Sequence, residues 1–296
     1  MTHHHHHDSH ENGEKNIKTA FILNFAFTIL EVVGGMLTNS MAILSDALHD
    51  LGDSLSLGFA WYFEKKSIQK PDDKFSYGYS RFSLLGAVIN SLVLMGGSAY
   101  VLTQTIPRIF SPQPVAAKGM LAFAVVGIVV NLAAMLRLKK GSSMNQKTVS
   151  WHLLEDVLGW AVVLVASIVL MFFDVPIIDP ILSAGITIYV LYNAIRNLVQ
   201  IVKIFLQGVP PHLSIDKLKD EIEDKFPVLD AYHMHIWSLD GEKNLLTMHI
   251  VVPCEMEFEQ ISQIKKGIRE YLSANGVYHA TIEVEYEGDV VDDGEY

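Results

Sequence analysis

Long apolar stretches alternate with short polar connections along most of this chain. Roughly 20 helical residues are needed to cross about 30 Å of hydrocarbon, and six stretches are long and apolar enough to do so. The pattern therefore predicts an α-helical polytopic membrane protein with six transmembrane helices. They are expected at residues 17–38, 41–63, 83–106, 116–138, 149–173 and 177–205.

The pattern changes after residue 208, where shorter segments with helix and strand periods follow. Ser214 is a good N-cap for a helix that ends at Phe226, before Pro227. Asp240-Gly241 is a hairpin signal between two strands. The αββαβ order predicts one layer of helices on an antiparallel sheet, a small α+β domain. The elements after the first helix are strands at 231–238 and 244–252, a helix at 258–273 and a strand at 279–286.

Charge follows the same division of the chain. From residue 209 onward, 7 Lys and Arg stand against 19 Asp and Glu, whereas the preceding part is almost neutral. The acidic part is therefore not expected to bind nucleic acid. The single cysteine, Cys254, excludes an intrachain disulfide and a cysteine-rich zinc site. The predicted parts are a histidine-rich cytoplasmic tail (1–16), the transmembrane domain (17–208), a cytoplasmic domain (209–288) and an acidic tail (289–296).

Basic residues indicate the orientation, because short cytoplasmic loops carry the excess of Lys and Arg. The second and fourth connections are basic, and the first and fifth contain no Lys or Arg. Both termini are therefore expected in the cytoplasm. A bacterial inner membrane is the expected location, and an organelle membrane is the alternative. The basic residues are Lys65, Lys66, Lys70, Lys74 and Arg81 in the second connection and Arg137, Lys139, Lys140 and Lys147 in the fourth.

Two of the predicted spans carry a histidine followed four residues later by an aspartate. These pairs are His49 with Asp53 and His152 with Asp156, and a four-residue spacing places each pair on one helix face. Ionisable groups at membrane depth are costly and need a compensating partner. Two imidazole nitrogens and two carboxylate oxygens suit tetrahedral Zn²⁺. The spacing predicts one four-ligand metal site shared by the second and fifth spans.

Three further acids lie beside these ligands. Asp46 and Asp50 share the polar stripe of the second span, and either could instead make a hydrogen bond at a helix crossing. Glu155 lies about 100° around the helix from Asp156, so the two cannot point equally at one ion. These three residues are possible accessory groups of the metal site.

Four sequence motifs together extend over nearly the whole chain: SMAILSDALHDLGD, FSYGYSRFSLLGA, HLLEDVLGW and AYHMHIWSL. In this order they resemble the cation diffusion facilitator family, in its zinc, cobalt and cadmium efflux branch. The resemblance implies a homodimer in the lipid bilayer with cytoplasmic ferredoxin-like domains. It also implies a transporter, and no enzyme, that exports Zn²⁺ in exchange for protons by alternating access. By the same resemblance, the four ligands form the transport site.

One loop departs from this family. Some bacterial members bind a second zinc before the third span with an aspartate and two histidines, where this chain has Asp72, Phe75 and Tyr79. Two of the three ligands are absent, so no tight metal site is expected in this loop.

The resemblance also bears on the cytoplasmic domain. His233, His249, Glu283 and Glu285 occupy positions where some relatives bind regulatory zinc at the dimer interface. His235 is interpreted as an ordinary surface residue. The run of histidines near the N-terminus is either an expression tag or a native tether that would raise the local zinc concentration.

Alternative functions remain open at this point. A metal-sensing membrane scaffold would bind zinc and move none, and Co²⁺, Cd²⁺ or Fe²⁺ could replace Zn²⁺ as the main substrate. An intramembrane zinc hydrolase fits poorly, because four protein ligands leave no coordination position for water. No HExxH motif is present either.

Overall fold

A computed structural model of the chain describes residues 7–67, 69–138, 144–173 and 175–288. It divides into two compact units, a helical unit (Met1–Lys65 and Leu85–Leu198) and a sheet unit (Lys66–Leu84 and Val199–Tyr296). Residues 1–6 of the predicted histidine-rich tail and the whole predicted acidic tail lie outside the described residues. Backbone alone is described for residues 7–20, 60, 61, 64, 65, 134, 137, 138 and 144–153.

Six long helices occupy the positions of the six predicted spans. Four of them contain described stretches that are long and apolar enough to cross a membrane, in α1, α3, α5 and α6. The acids of α2 lower its hydropathy, and the described apolar stretch of α4 covers only Ala117–Ala133. The helices are α1 (His7–Thr38), α2 (Met41–Ser67), α3 (Phe82–Phe110), α4 (Ala117–Leu138), α5 (Met144–Phe172) and α6 (Ile178–Phe205).

The start of α2 is fixed by a buried carboxylate from α6. Asp179 accepts hydrogen bonds from the Ser40 hydroxyl at 2.5 Å and from the backbone N–H of Met41 at 2.7 Å. The side chain of Ser40 in turn accepts from the backbone N–H of Ile43 at 3.2 Å. A carboxylate is favourable here because the first turn of a helix presents unpaired N–H groups and a partial positive charge. The first turns of α2 and α6 are therefore joined.

Four buried hydroxyl groups continue this connection along α2. The hydroxyl oxygens of Ser45 and Ser183 lie 2.6 Å apart, and Thr105 of α3 lies 2.9 Å from Ser183. Thr187 donates to Ser45 at 3.0 Å. Hydrogen bonds of this kind hold helices together where the surroundings are apolar. We call these four residues the hydroxyl cluster.

Helices α4 and α5 approach closely at a glycine. Trp160 of α5 is only 1% exposed and packs edge-on against Phe27, with ring centroids 6.2 Å apart. A Cβ atom at Gly127 of α4 would lie 2.3 Å from the Trp160 ring. The indole therefore fits only because residue 127 has no side chain.

We expect the Gly127→Ala substitution to destabilise the helical unit, because the added methyl group would displace Trp160. Overpacking of this kind costs about 1–3 kcal/mol, so the melting temperature of the detergent-solubilised protein should fall by several degrees. Gly96→Ala is the matched control, since no neighbouring atom lies within 4 Å of a Cβ at Gly96. Equal melting temperatures for the two variants would contradict the packing argument.

The sheet unit has the predicted αββαβ order but a different sheet. Ser214 caps α7 as expected, because its side chain accepts from the N–H of Lys217. Strand β1 pairs with β2 antiparallel, whereas β2 pairs with β3 parallel, so the prediction of an antiparallel sheet was wrong. Helix α8 returns the chain to the other end of the sheet before β3 begins, and such a crossover produces parallel strands. The elements are α7 (Ile215–Lys225), β1 (Asp230–Ser238), β2 (Asn244–Val252), α8 (Phe258–Ala274) and β3 (Val277–Tyr286), with sheet order β1-β2-β3.

Helices α7 and α8 cover one face of this sheet and leave the other face for polar residues. Ile222 and Ile268 of the helices pack with Ile236, Met248 and Ile282 of the strands in one buried core. The residues that alternate with these strand positions point away from the helices. All four predicted regulatory residues are on the strands of this sheet.

The connection between α2 and α3 packs against the β1–β2 hairpin within the sheet unit. Arg81 Nε donates to the carbonyl oxygen of Leu239 at 3.3 Å. Lys243 Nζ donates to the hydroxyl of Ser80 at 3.1 Å. Gly241, at the tip of the hairpin, has a φ of 97°, which favours glycine. The loop before α3 and the hairpin therefore form one continuous surface.

Candidate metal site

A cavity of about 280 Å³ lies between α2, α5 and α6. Two of the four predicted ligands, His49 and Asp156, line it from two different helices. Two of the three accessory candidates line it as well. The complete lining is Asp46, His49, Glu155, Asp156, Gly159, Gly185, Ile186, Tyr189 and Val190.

The first predicted pair is formed as its spacing indicated. His49 Nε2 lies 3.8 Å from Asp53 Oδ2, and both side chains are half-buried. In the second pair, Asp156 is half-buried on α5, whereas the side chain of His152 lies outside the described residues. The backbone of α5 places residue 152 one turn before Asp156. Among the side chains that the structure describes, no three His, Cys, Asp or Glu groups are grouped closely enough to hold an ion.

Asp46 is the most deeply buried acid of the cavity wall. It is 8% exposed and makes no hydrogen bond to a described residue. The charged groups that act on it are other carboxyl groups, those of Asp50, Asp156 and Asp53. A carboxyl group in such surroundings is favourable only when it is protonated or has a positively charged partner.

Asp50 is turned away from the cavity toward α1. Its carboxyl group lies against that of Glu31, which is 1% exposed. Asn24 of α1 donates to the carbonyl oxygen of Asp50 at 3.1 Å and to the hydroxyl of Ser54 at 2.9 Å. Sequence reasoning had not assigned Glu31 to the site. The signal that could have found it is a lone glutamate within the apolar first span.

Glu155 is held by a tyrosine of α6. The phenolic hydroxyl of Tyr189 donates to Glu155 Oε1 at 2.7 Å, and both residues line the cavity. Glu155 is exposed, and Tyr189 is 51% exposed. Sequence reasoning also missed Tyr189, since nothing in the pattern distinguishes it from the neighbouring apolar and aromatic residues of α6.

Five carboxyl groups from α1, α2 and α5 thus lie near the middle of α2. They belong to Glu31, Asp46, Asp50, Asp53 and Asp156. They interact with one another electrostatically through Asp50, whose neighbours include Glu31, Asp53 and Asp156. In apolar surroundings such repulsion is strong, and a bound cation would relieve it. The arrangement is therefore suited chemically to a divalent cation.

A second polar cluster lies on the open face of the sheet. His249 Nδ1 lies 2.6 Å from Glu285 Oε1, and its Nε2 lies 3.7 Å from Glu283 Oε2. The ring of His233 lies 5.1 Å from that of His249, between centroids. Tyr232 donates to the second oxygen of Glu285 at 2.6 Å. All four predicted regulatory residues therefore lie in one cluster around His249, but no three of them are close enough to hold an ion in this arrangement.

Family models match most of the chain in two consecutive parts. The model of the cation efflux transmembrane domain matches residues 17–206. The chain belongs to the cation efflux family. The model of the cytoplasmic domain of cation efflux proteins matches residues 210–287. Proteins of this family are transporters of the membrane, not enzymes.

Characterised bacterial relatives are similar over almost their full length. A zinc transporter, ZitB of Pectobacterium atrosepticum, is 33% identical over 97% of this chain and 90% of its own. A cadmium, cobalt and zinc/H(+)-K(+) antiporter of Bacillus subtilis is 32% identical over 95% of this chain and 92% of its own. The metal cation efflux system protein CzcD of Cupriavidus metallidurans is 31% identical over 95% and 89%. All three names refer to the movement of metal cations.

In the loop before α3, hydrogen bonds and a ring contact join the three positions at which some members of the family bind zinc. Asp72 accepts hydrogen bonds from the backbone N–H groups of Lys74 and Phe75, both at 2.9 Å, and from the Tyr79 hydroxyl at 2.8 Å. The hydrogen bond from the Phe75 backbone, followed by that from Tyr79, lowers the pKa of Asp72. The rings of Phe75 and Tyr79 also pack at 4.6 Å. Hydrogen bonds and ring packing therefore join the three positions directly.

We expect the double substitution Phe75→His and Tyr79→His to add one zinc site per chain. It would supply two imidazoles and free the Asp72 carboxylate from the tyrosine. Isothermal titration of the detergent-solubilised protein with zinc should give a stoichiometry higher by one than for the unchanged protein. The single substitution Tyr79→Phe, which removes the hydrogen bond and adds no ligand, is the control. An unchanged stoichiometry in the double variant would refute this interpretation of the loop.

Proposed function

We propose that this protein exports a divalent metal cation from the cytoplasm in exchange for protons, with Zn²⁺ as the main substrate. The observation that carries the proposal is the cavity between α2, α5 and α6, because His49 and Asp156 face it from different helices. A site that is shared by separate helices can open and close as those helices move. Alternating access requires such a site near the middle of the membrane domain.

The proposed transport ligands are His49, Asp53, His152 and Asp156. Two nitrogen and two oxygen ligands suit Zn²⁺ in tetrahedral geometry. Co²⁺ and Cd²⁺ are the alternative substrates that the names of the relatives raise. The close approach of His49 to Asp53 supports one half of this set. The position of residue 152, one helical turn before Asp156, supports the other half.

Proton exchange follows from the chemistry of the ligands. Imidazole and carboxylate groups bind a metal ion in their deprotonated forms, so metal binding releases protons. Histidine titrates near neutral pH, which makes it suited to exchange a metal for protons in the physiological range. On the cytoplasmic side the ion would displace protons. On the opposite, more acidic side, protons would displace the ion.

The same proposal includes the membrane arrangement. All six helices would span a bacterial inner membrane, with residues 17–208 as the transmembrane domain and both termini in the cytoplasm. The basic connections after α2 and α4 support this orientation. The region 209–288 would form a ferredoxin-like cytoplasmic domain, and two copies of the chain would form the transporter. The αββαβ order and the match to the cytoplasmic-domain model support this part.

In proteoliposomes with an imposed pH gradient, we expect the protein to accumulate zinc. Asp53→Ala and His152→Ala should each abolish this uptake, because each removes a ligand. His279→Ala is the control, since this exposed histidine lies on β3, outside the proposed site. The measurement is the initial rate of zinc entry, followed with a fluorescent zinc indicator inside the vesicles.

Transport that persists in the Asp53→Ala/His152→Ala double variant would refute the ligand assignment. Zinc binding without any transport by the unchanged protein would favour the metal-sensing scaffold instead. Accumulation of Co²⁺ or Cd²⁺ in preference to Zn²⁺ would keep the transport function and replace its substrate.

We also propose that the open face of the sheet binds a regulatory zinc through His233, His249 and Glu283. Glu285 would act through His249, because a carboxylate on the second ring nitrogen fixes the orientation of a ligating imidazole. The 2.6 Å distance between Glu285 and His249 Nδ1 supports this role, and Nε2 faces Glu283.

For this second site, we expect His249→Ala to lower the zinc stoichiometry of the full chain by one. Glu285→Gln should keep the stoichiometry and weaken the affinity by about 10–100-fold, as is typical for the partner of a ligating histidine. Isothermal titration measures both quantities. His279→Ala, which changes an exposed histidine of β3 outside the cluster, is the control. Equal stoichiometry in all variants would exclude the site.

A further inference from the structure

We propose that Glu155, held in place by Tyr189, is the residue that first binds the divalent cation at the mouth of the cavity. This inference rests on the proposed transport function and names a residue that sets the apparent affinity for the substrate. The cation would then pass to the deeper carboxylate and imidazole groups.

Glu155 lies on the exposed side of the cavity. The carboxylate is exposed, and the residue also lines the cavity. A cation that enters the cavity therefore meets this exposed carboxylate before it meets the buried groups.

Tyr189 fixes the direction of this carboxylate. Its hydroxyl donates to Glu155 Oε1 at 2.7 Å, and the residue comes from a different helix, α6. The other carboxylate oxygen makes no hydrogen bond to a described residue, so it can bind a cation. A long side chain loses entropy when it is ordered, and the hydrogen bond to Tyr189 orders it before the cation arrives.

Asp46 and Asp156 lie behind Glu155 in the same cavity. Asp46 is 8% exposed, faces other carboxyl groups and makes no hydrogen bond to a described residue, so a cation that replaced its proton would relieve the repulsion at the inner wall. An exposed acid at the entrance and a buried acid at the inner wall offer a cation two successive carboxyl groups in one cavity. This succession gives the mouth residue a role that a surface glutamate elsewhere would not have.

The test compares initial rates of zinc uptake at several zinc concentrations in proteoliposomes. Glu155→Gln should raise KM by about five- to tenfold and leave kcat nearly unchanged, because it weakens capture and not translocation. Glu155→Asp keeps the charge and should restore most of the affinity. Tyr189→Phe should raise KM by about two- to threefold, and it should add nothing in the Glu155→Gln background, because it acts only through the carboxylate. Tyr192→Phe, another exposed tyrosine of α6, is the matched control.

Three results would overturn the inference. A lower kcat with unchanged KM would place Glu155 in the translocation step. An unchanged KM together with lower melting temperatures for both single variants would show that the hydrogen bond only joins α5 to α6. Additive effects of the two substitutions on KM would show that Tyr189 acts independently of Glu155.

Failure of the proposed transport function would be visible separately, as zinc uptake that is absent in the unchanged protein or undiminished in His49→Ala. In that case zinc titration of the solubilised protein would test whether Glu155 binds the cation. Glu155→Gln should then weaken zinc binding by about tenfold. An equal affinity for the variant and the unchanged protein would refute the role of Glu155.

Discussion

Repulsion among the carboxyl groups around the middle of α2 is the constraint on which the helical unit depends. Asp46, Asp50 and Asp53 lie on one helix, and Glu31 and Asp156 approach from α1 and α5. No lipid-facing helix could carry this charge, so α2 must be surrounded by other helices. The same acidic residues make the hydropathy of α2 lower than that of α3, α5 and α6.

The fold keeps these groups from moving apart. At one end of α2, Asp179 accepts hydrogen bonds from the first turn, and the hydroxyl cluster continues the attachment to α6 and α3. Farther along, Asn24 of α1 binds the backbone of Asp50 and the side chain of Ser54. Because α2 is held at both positions, it cannot move away to relieve the repulsion. A bound cation would relieve it.

Spacing along a single helix could be read from the sequence, whereas contacts between helices could not. The pair His49 and Asp53 lies one turn apart whatever surrounds it, so the four-residue interval was sufficient to predict its contact. The contacts of Glu155 with Tyr189 and of Asp50 with Glu31 depend on how neighbouring helices are rotated. No pattern within one segment determines that rotation.

In the sheet, too, local features could be predicted from the sequence, whereas the direction of a strand could not. The cap at Ser214 and the Asp240-Gly241 turn are local features, and both were predicted. The direction of β3 depends on the path of α8 across the sheet, which the element order alone did not give.

Strand β1 is an edge of the sheet, and its register with β2 shifts between Tyr232 and His235. His233 adopts a φ of 49° inside this irregularity. The outer row of N–H and C=O groups on β1 is therefore interrupted, and a strand from another molecule could not form a regular ladder along it. In a chain that joins long apolar helices to an acidic domain, this interruption protects the newly made domain against fibrous aggregation from that edge. The other edge strand, β3, has its own register shift at its start, between Val277 and His279, and pairs regularly from His279 to Tyr286.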